Sequence, residues 1–174
     1  MTREYSVLSP RHLMGVLTWA HAPIILVGAD GTGKSTLCNA TRMRTFHYTR
    51  GNAKEWLAGN AAWALKMNQY DLFDRHPVID WPVYEYAFGN MTREQMAEWL
   101  TRPHVIAELS GKTVLWLTHR FVEPSIERGD LPEAVEHAGN VANAYRLFFR
   151  LMVESPTLFN VHVIEEGSYD EFDE

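Results

Sequence analysis

The stretch 23–36, which reads PIILVG and then ADGTGKST, constrains the fold of this chain more tightly than any other. Gly28, Gly33, Lys34 and Ser35 satisfy G-x-x-x-x-G-K-[ST], with an apolar run before the pattern and helix-forming residues after it. That is the strand-loop-helix context the pattern requires. Glycines in such a loop let the backbone turn its N–H groups inward as a nest for anionic oxygens, and the first turn of the following helix adds unpaired donors and a positive dipole end. Asp30, Gly31, Thr32, Gly33, Lys34, Ser35 and Thr36 are therefore the expected contacts to the phosphates of ATP. Lys34 should reach the β and γ phosphates, and the Ser35 hydroxyl should ligate Mg2+. A glycine-rich turn with no ligand would need neither the lysine nor the hydroxyl.

With 174 residues, the chain suffices for one domain with a full core and is short for two. We read residues 1–164 as that domain. Six of the 22 acidic residues, Glu165, Glu166, Asp170, Glu171, Asp173 and Glu174, form a C-terminal tail at 165–174 without lysine or arginine, leaving 16 acidic against 16 basic residues in the body. A neutral body argues against a duplex-binding surface, and the tail reads as a solvated end. No apolar run is long enough to span a bilayer, and the first residues carry charges instead of a signal peptide, so a cytoplasmic protein is expected. The single cysteine, Cys38, excludes an intramolecular disulfide and a thiolate metal cage.

Taken in order, Ser9-Pro10 starts an N-terminal helix within residues 1–21, with serine as cap and proline at the first helical position. Pro23 to Val27 is the first strand, and a helix follows the glycine loop to about Arg44. Thr45 to Thr49 reads as the second strand, and Ala53 to Gln69 as a helix with Trp56, Asn60, Trp63 and Met67 on one stripe. Tyr70 to Phe73 is the third strand, with Asp74-Arg75-His76 at its carboxyl end, where an open α/β sheet binds ligands. Pro77 and Pro82 bracket a stretch read as irregular. Thr92 to Gln95 is a capping box opening a helix that ends at Arg102-Pro103. Thr113 to Leu117 is the fourth strand, residues 118–132 are a candidate lid, Glu133 to Val153 is the longest helix, and Leu158 to Ile164 is the fifth strand. This alternation predicts an α/β protein of the P-loop NTPase fold, with a five-stranded, mostly parallel sheet and helices on both faces.

The guanine-reading motif N-K-x-D is absent, and a small P-loop domain with charged residues at several strand ends suits a kinase, whose second substrate must lie in line with the γ-phosphate. Here Gly28-Ala29-Asp30-Gly31-Thr32-Gly33-Lys34-Ser35-Thr36, Thr49-Arg50-Gly51 and Phe73-Asp74-Arg75-His76, in that order of elements, resemble thymidylate kinase and its deoxynucleoside-monophosphate kinase relatives. Small viral thymidylate kinase-like proteins are the nearest in character. The resemblance spans about residues 22–164. It implies that Asp30 contacts the sugar of the acceptor nucleotide and that Arg50 holds the acceptor phosphate, although Gly51-Asn52 replaces the family's Glu-Pro. It further implies that Asp74 sits near Mg2+ and the phosphates, that Arg75 orients the acceptor phosphate, that His76 contacts the acceptor where the family has an aromatic, and that Arg120 or Arg128 is the lid arginine. A homodimer is implied on the same ground.

The chemistry of two nucleotides agrees with those roles, since Mg2+, a lysine and several arginines must bind the charge that shifts in transfer. Trp56, Trp63 and Tyr84 are the candidates for stacking on a base, with Glu85 and Tyr86 beside them. Three readings stand: an ATP- and Mg2+-dependent (deoxy)nucleoside monophosphate kinase; a kinase acting on a hydroxyl of DNA, at a 5′ end or a hydroxymethylated base; and a nucleotide-binding protein without an acceptor.

Overall fold

The computed structural model describes residues 6–7, 15, 23–49, 56, 65–118, 125–128, 132–157 and 159–164. In chain order these form β1 (Ser6–Val7), β2 (Ile24–Val27), α1 (Lys34–Ala40), β3 (Thr45–His47), β4 (Leu72–Asp74), α2 (Pro77–Ala87), α3 (Arg93–Trp99), α4 (Pro103–Leu109), β5 (Thr113–Leu117), a 3-10 turn (Ile126–Arg128), α5 (Pro132–Glu136), α6 (Ala138–Glu154) and β6 (Asn160–Ile164). Among the described residues, no helix is long and apolar enough to cross a membrane.

The five strands expected from the sequence form one continuous sheet in the order β6-β5-β2-β4-β3, and the two-residue strand β1 lies beyond β6. All pairings are parallel. β2 lies in the middle, with Ile25 opposite Phe73 on β4 and Val114 on β5. Its four residues, Ile24 to Val27, are fully buried, which explains why the segment reads as an unbroken apolar run and not as an alternation. Because every strand points the same way, the loops after β2, β3, β4 and β5 leave the sheet at one edge, the carboxyl edge where ligands bind in such folds.

Side-chain alternation along the strands divides the interior into two cores. Ile25, Val27, Phe73, Val114, Trp116 and Val163 pack with Val78, Ile79 and Val83 of α2, Met96 and Trp99 of α3, Val105 of α4 and Phe148, Phe149 and Met152 of α6. On the opposite face Ile24, Leu26, Leu72, Leu115, Leu117 and Ile164 pack with Cys38 of α1. Helices therefore cover both faces, and the arrangement is consistent with the α/β fold of P-loop NTPases. The Thr92 capping box forms as expected, with Thr92 and Gln95 bonding each other's backbone N–H.

Four departures from the sequence reading have local causes. The stretch between Pro77 and Pro82 is not irregular but the start of α2: His76 caps it, Pro77 occupies its first turn, and Pro82 lies inside it. A proline there lacks the N–H that would reach the carbonyl of Val78, and Trp99 Nε1 donates to that oxygen at 2.9 Å instead. The segment after Arg102 continues as α4, with Pro103 at its first position. The longest helix is split at His137 into α5 and α6. Strand β1 was not expected, because two residues are too few to show a pattern. Gly15 is helical; the other residues of the expected N-terminal helix, most of the lid segment and the acidic tail lie outside the described residues.

Candidate functional site

The Gly28–Ser35 loop leaves β2 and returns into α1. A Cβ on Gly28 would lie 2.5 Å from the carbonyl oxygen of Leu117 and 2.9 Å from Thr32 Oγ1, at φ +152°, so only glycine allows β5 to approach the loop this closely. Gly33, at φ 78°, makes the turn into α1. Within the loop Thr32 Oγ1 donates to Ala29 O at 2.9 Å. Lys34 Nζ lies inside the loop's curve, donating to Gly28 O at 2.9 Å and Ala29 O at 2.7 Å and lying 3.2 Å from Thr32 Oγ1. Burial, helped by the charge of Arg75, lowers the Lys34 pKa to about 7 against the pull of Asp30, Asp80 and Asp74. Its ammonium is held by carbonyl dipoles in a buried site, where a phosphate oxygen would bind it far more strongly than in water. Ser35 and Thr36 are exposed at the start of α1.

Asp74 closes β4 beside this loop, since β4 pairs directly with β2. Ser35 Oγ donates to Asp74 Oδ2 at 2.8 Å, and His47 Nδ1 lies 3.1 Å from the same oxygen. The other oxygen, Oδ1, is buried and has no hydrogen-bond partner. One carboxylate oxygen is thus engaged twice and the other has no partner. A carboxylate with one unpartnered oxygen, its other oxygen bonded to a serine hydroxyl, is a hard-oxygen donor set that fits Mg2+.

Arg75 follows with φ 70°, the one positive φ outside glycine among the described residues. Its N–H bonds Leu26 O at 2.9 Å, extending the β2–β4 pairing by one residue, while its side chain turns to the α2 face. There Nη1 donates to Asp80 Oδ1 at 2.9 Å and lies 3.0 Å from the Tyr145 hydroxyl, and Nη2 pairs with Asp30. Tyr145 also donates to Asp80 Oδ1, and Asp80 Oδ2 accepts the His76 N–H at 2.8 Å. Tyr84 donates to Asp30 Oδ2 at 3.1 Å, and the guanidinium carbon lies 5.6 Å from its ring centre. Burial works to raise the Asp30 pKa, but the charges of Arg75 and Lys34 outweigh it and hold the carboxyl below its ordinary value. Burial raises the Tyr145 and Tyr84 hydroxyls well above theirs, so both remain donors.

The structure thus brings together Asp30, Lys34, Ser35, Asp74 and Arg75, five residues singled out from sequence, with Tyr84 beside them. His76 is not presented to a ligand as expected. It is fully buried, Nδ1 accepts from Val78 N at 3.3 Å as the cap of α2, and Nε2 lies 3.1 Å from Glu108 Oε1 without the alignment of a hydrogen bond. Burial lowers its pKa despite that carboxylate. Trp56 likewise belongs to the core, edge-on to Trp99 with ring centres 5.7 Å apart. Glu85 and Tyr86 are half-buried on α2. Arg128 closes the 3-10 turn. Arg50, Trp63 and Arg120, with Asn60, lie outside the described residues.

Three site residues escaped sequence reading. Asp80 carried one local signal, a carboxylate inside the apolar run VIDWPV. Tyr145 sits in an apolar helical stripe and His47 in a short strand, and neither position marks it out. Compared with known proteins, the chain matches no family model, no curated protein and no solved structure.

Proposed function

We propose that this protein is an ATP- and Mg2+-dependent phosphotransferase, with a (deoxy)nucleoside monophosphate as acceptor. The observation that carries the reading is the buried Lys34 ammonium, curled inside the Gly28–Ser35 loop beside an Asp74–Ser35 pair that leaves one carboxylate oxygen without a partner. On binding, the Lys34 Nζ exchanges the carbonyls of Gly28 and Ala29 for phosphate oxygens. Ser35 Oγ and Asp74 Oδ1 would hold Mg2+, which when bound neutralises charge on the phosphate oxygens. Arg75, anchored by Asp80, orients the acceptor at the loop's edge, and Asp30 and Tyr84 line the same edge. Burial of Lys34, Asp74 and Asp80 keeps the electrostatics strong during transfer.

A second reading, transfer to a hydroxyl, as at a 5′ end or hydroxymethylated base of DNA, is favoured by one observation. The Arg75 guanidinium is already paired with two carboxylates, Asp30 and Asp80. An acceptor phosphate would have to compete with Asp30 for it, whereas a neutral hydroxyl would not. The third reading, nucleotide binding without an acceptor, requires the same loop and no transfer.

The test is a radiolabelled transfer assay with ATP and Mg2+ against the common ribo- and deoxyribonucleoside monophosphates, with single-stranded, duplex and hydroxymethylated DNA in parallel. Transfer to one or a few monophosphates is expected. Transfer to DNA alone would establish the second reading, and ATP binding with every acceptor inert the third.

A further inference from the structure

The register of the sheet edge places His47 directly opposite Asp74. In a parallel pair, residues so matched project to the same face, and here that face is the one α1 covers, where Ser35 also reaches Asp74. A carboxylate oxygen accepts, so at 3.1 Å His47 Nδ1–H is the donor to Asp74 Oδ2. Two donors from different elements, one from α1 and one from β3, thus hold the same oxygen, while the buried Oδ1 has none. A carboxylate held by one donor alone can rotate about its χ2, which is a soft torsion. Held by two donors, it keeps its remaining oxygen in one direction.

We propose that His47 is a positioning residue for the divalent cation: by engaging Asp74 Oδ2 together with Ser35, it fixes the carboxylate so that Oδ1 is presented to the metal. This rests on the proposed nucleotide and cation site. Outer partners of metal-binding carboxylates act in this way, and their loss typically weakens metal affinity 10- to 100-fold. The His47 side chain is half exposed on the edge strand, so its replacement leaves both cores intact.

Mn2+ binding followed by electron paramagnetic resonance, in the presence of a non-hydrolysable ATP analogue, tests the assignment in the wild type, His47→Ala and His47→Asn. Asparagine retains an N–H donor near the place of Nδ1. His47→Ala should bind Mn2+ about tenfold more weakly, His47→Asn should stay within about threefold of wild type on the same scale, and affinity for the analogue in EDTA should be the same in all three. Wild-type affinity in His47→Ala, or equal weakness in both variants, would overturn the role of His47 while leaving the site itself in place. If the wild type takes up no Mn2+ with the analogue, both the cation site and the role of His47 fall.

Discussion

Arg75 donates to Asp80 at 2.9 Å across the start of α2, and through its second nitrogen to Asp30 it fastens the glycine loop to the helical layer. A buried carboxylate that accepts from an arginine, a tyrosine and a backbone N–H is fully satisfied. Removing it leaves three donors and a positive charge behind. Asp80→Ala should therefore destabilise the protein by about 3 kcal/mol or more, read by chemical denaturation. A loss below about 1 kcal/mol would mean that water replaces the carboxylate at no cost.

Lys34→Met should abolish phosphate transfer without lowering stability at neutral pH, because it removes a charge that is costly to bury. The pH dependence has a definite sign. The Lys34 pKa falls from 10.5 unfolded to about 7 folded, so between those values the unfolded chain binds more protons at this group and its contribution to stability rises with pH. The penalty is fully present below pH 7 and disappears toward 10.5. Denaturation at pH 7 and pH 9 should thus show the wild type gaining on Lys34→Met by roughly 1 kcal/mol per pH unit. Parallel pH profiles would contradict a buried, depressed lysine.

Gly28→Ala places a methyl group 2.5 Å from a backbone oxygen that cannot swing away. We expect a cost of about 2 kcal/mol or more and a loss of ATP affinity, measured by calorimetry, because β5 and the loop must separate. Unchanged stability and affinity would show that the close approach of Leu117 to Gly28 is relieved at no cost.

Trp99 and Pro82 should be energetically coupled through a group that belongs to neither. Trp99→Phe leaves the buried Val78 carbonyl without its donor and should cost about 1–3 kcal/mol. Pro82→Ala supplies a helical N–H for that same oxygen. The double variant should recover about 1 kcal/mol relative to additivity; strict additivity in denaturation would remove Val78 O as the link.

What could be read in the sequence was whatever is local. The apolar runs of β2 and β5, the capping box at Thr92 and the glycine loop are each written within a few residues, because strand burial, caps and turns depend on near neighbours. The adjacent Asp74 and Arg75 were legible for the same reason: they stand at the end of a short buried strand. Pro82 misled because proline's helix-breaking effect is local too, whereas its compensation comes from Trp99 on α3, 21 residues from the Val78 carbonyl that it bonds.

Tertiary structure alone decided which polar groups meet. His47 finds Asp74 over 27 residues through strand register, and Tyr145 finds Asp80 over 65 and Arg75 over 70 through the docking of α6 on α2. No periodicity encodes such pairs, since each depends on how two separately specified elements are packed against each other. The sequence by itself determined that a lysine, a serine and an aspartate would stand at the carboxyl edge of a parallel sheet. Packing decided that the lysine is buried, that one aspartate oxygen is left without a partner, and that the arginine is held between two carboxylates.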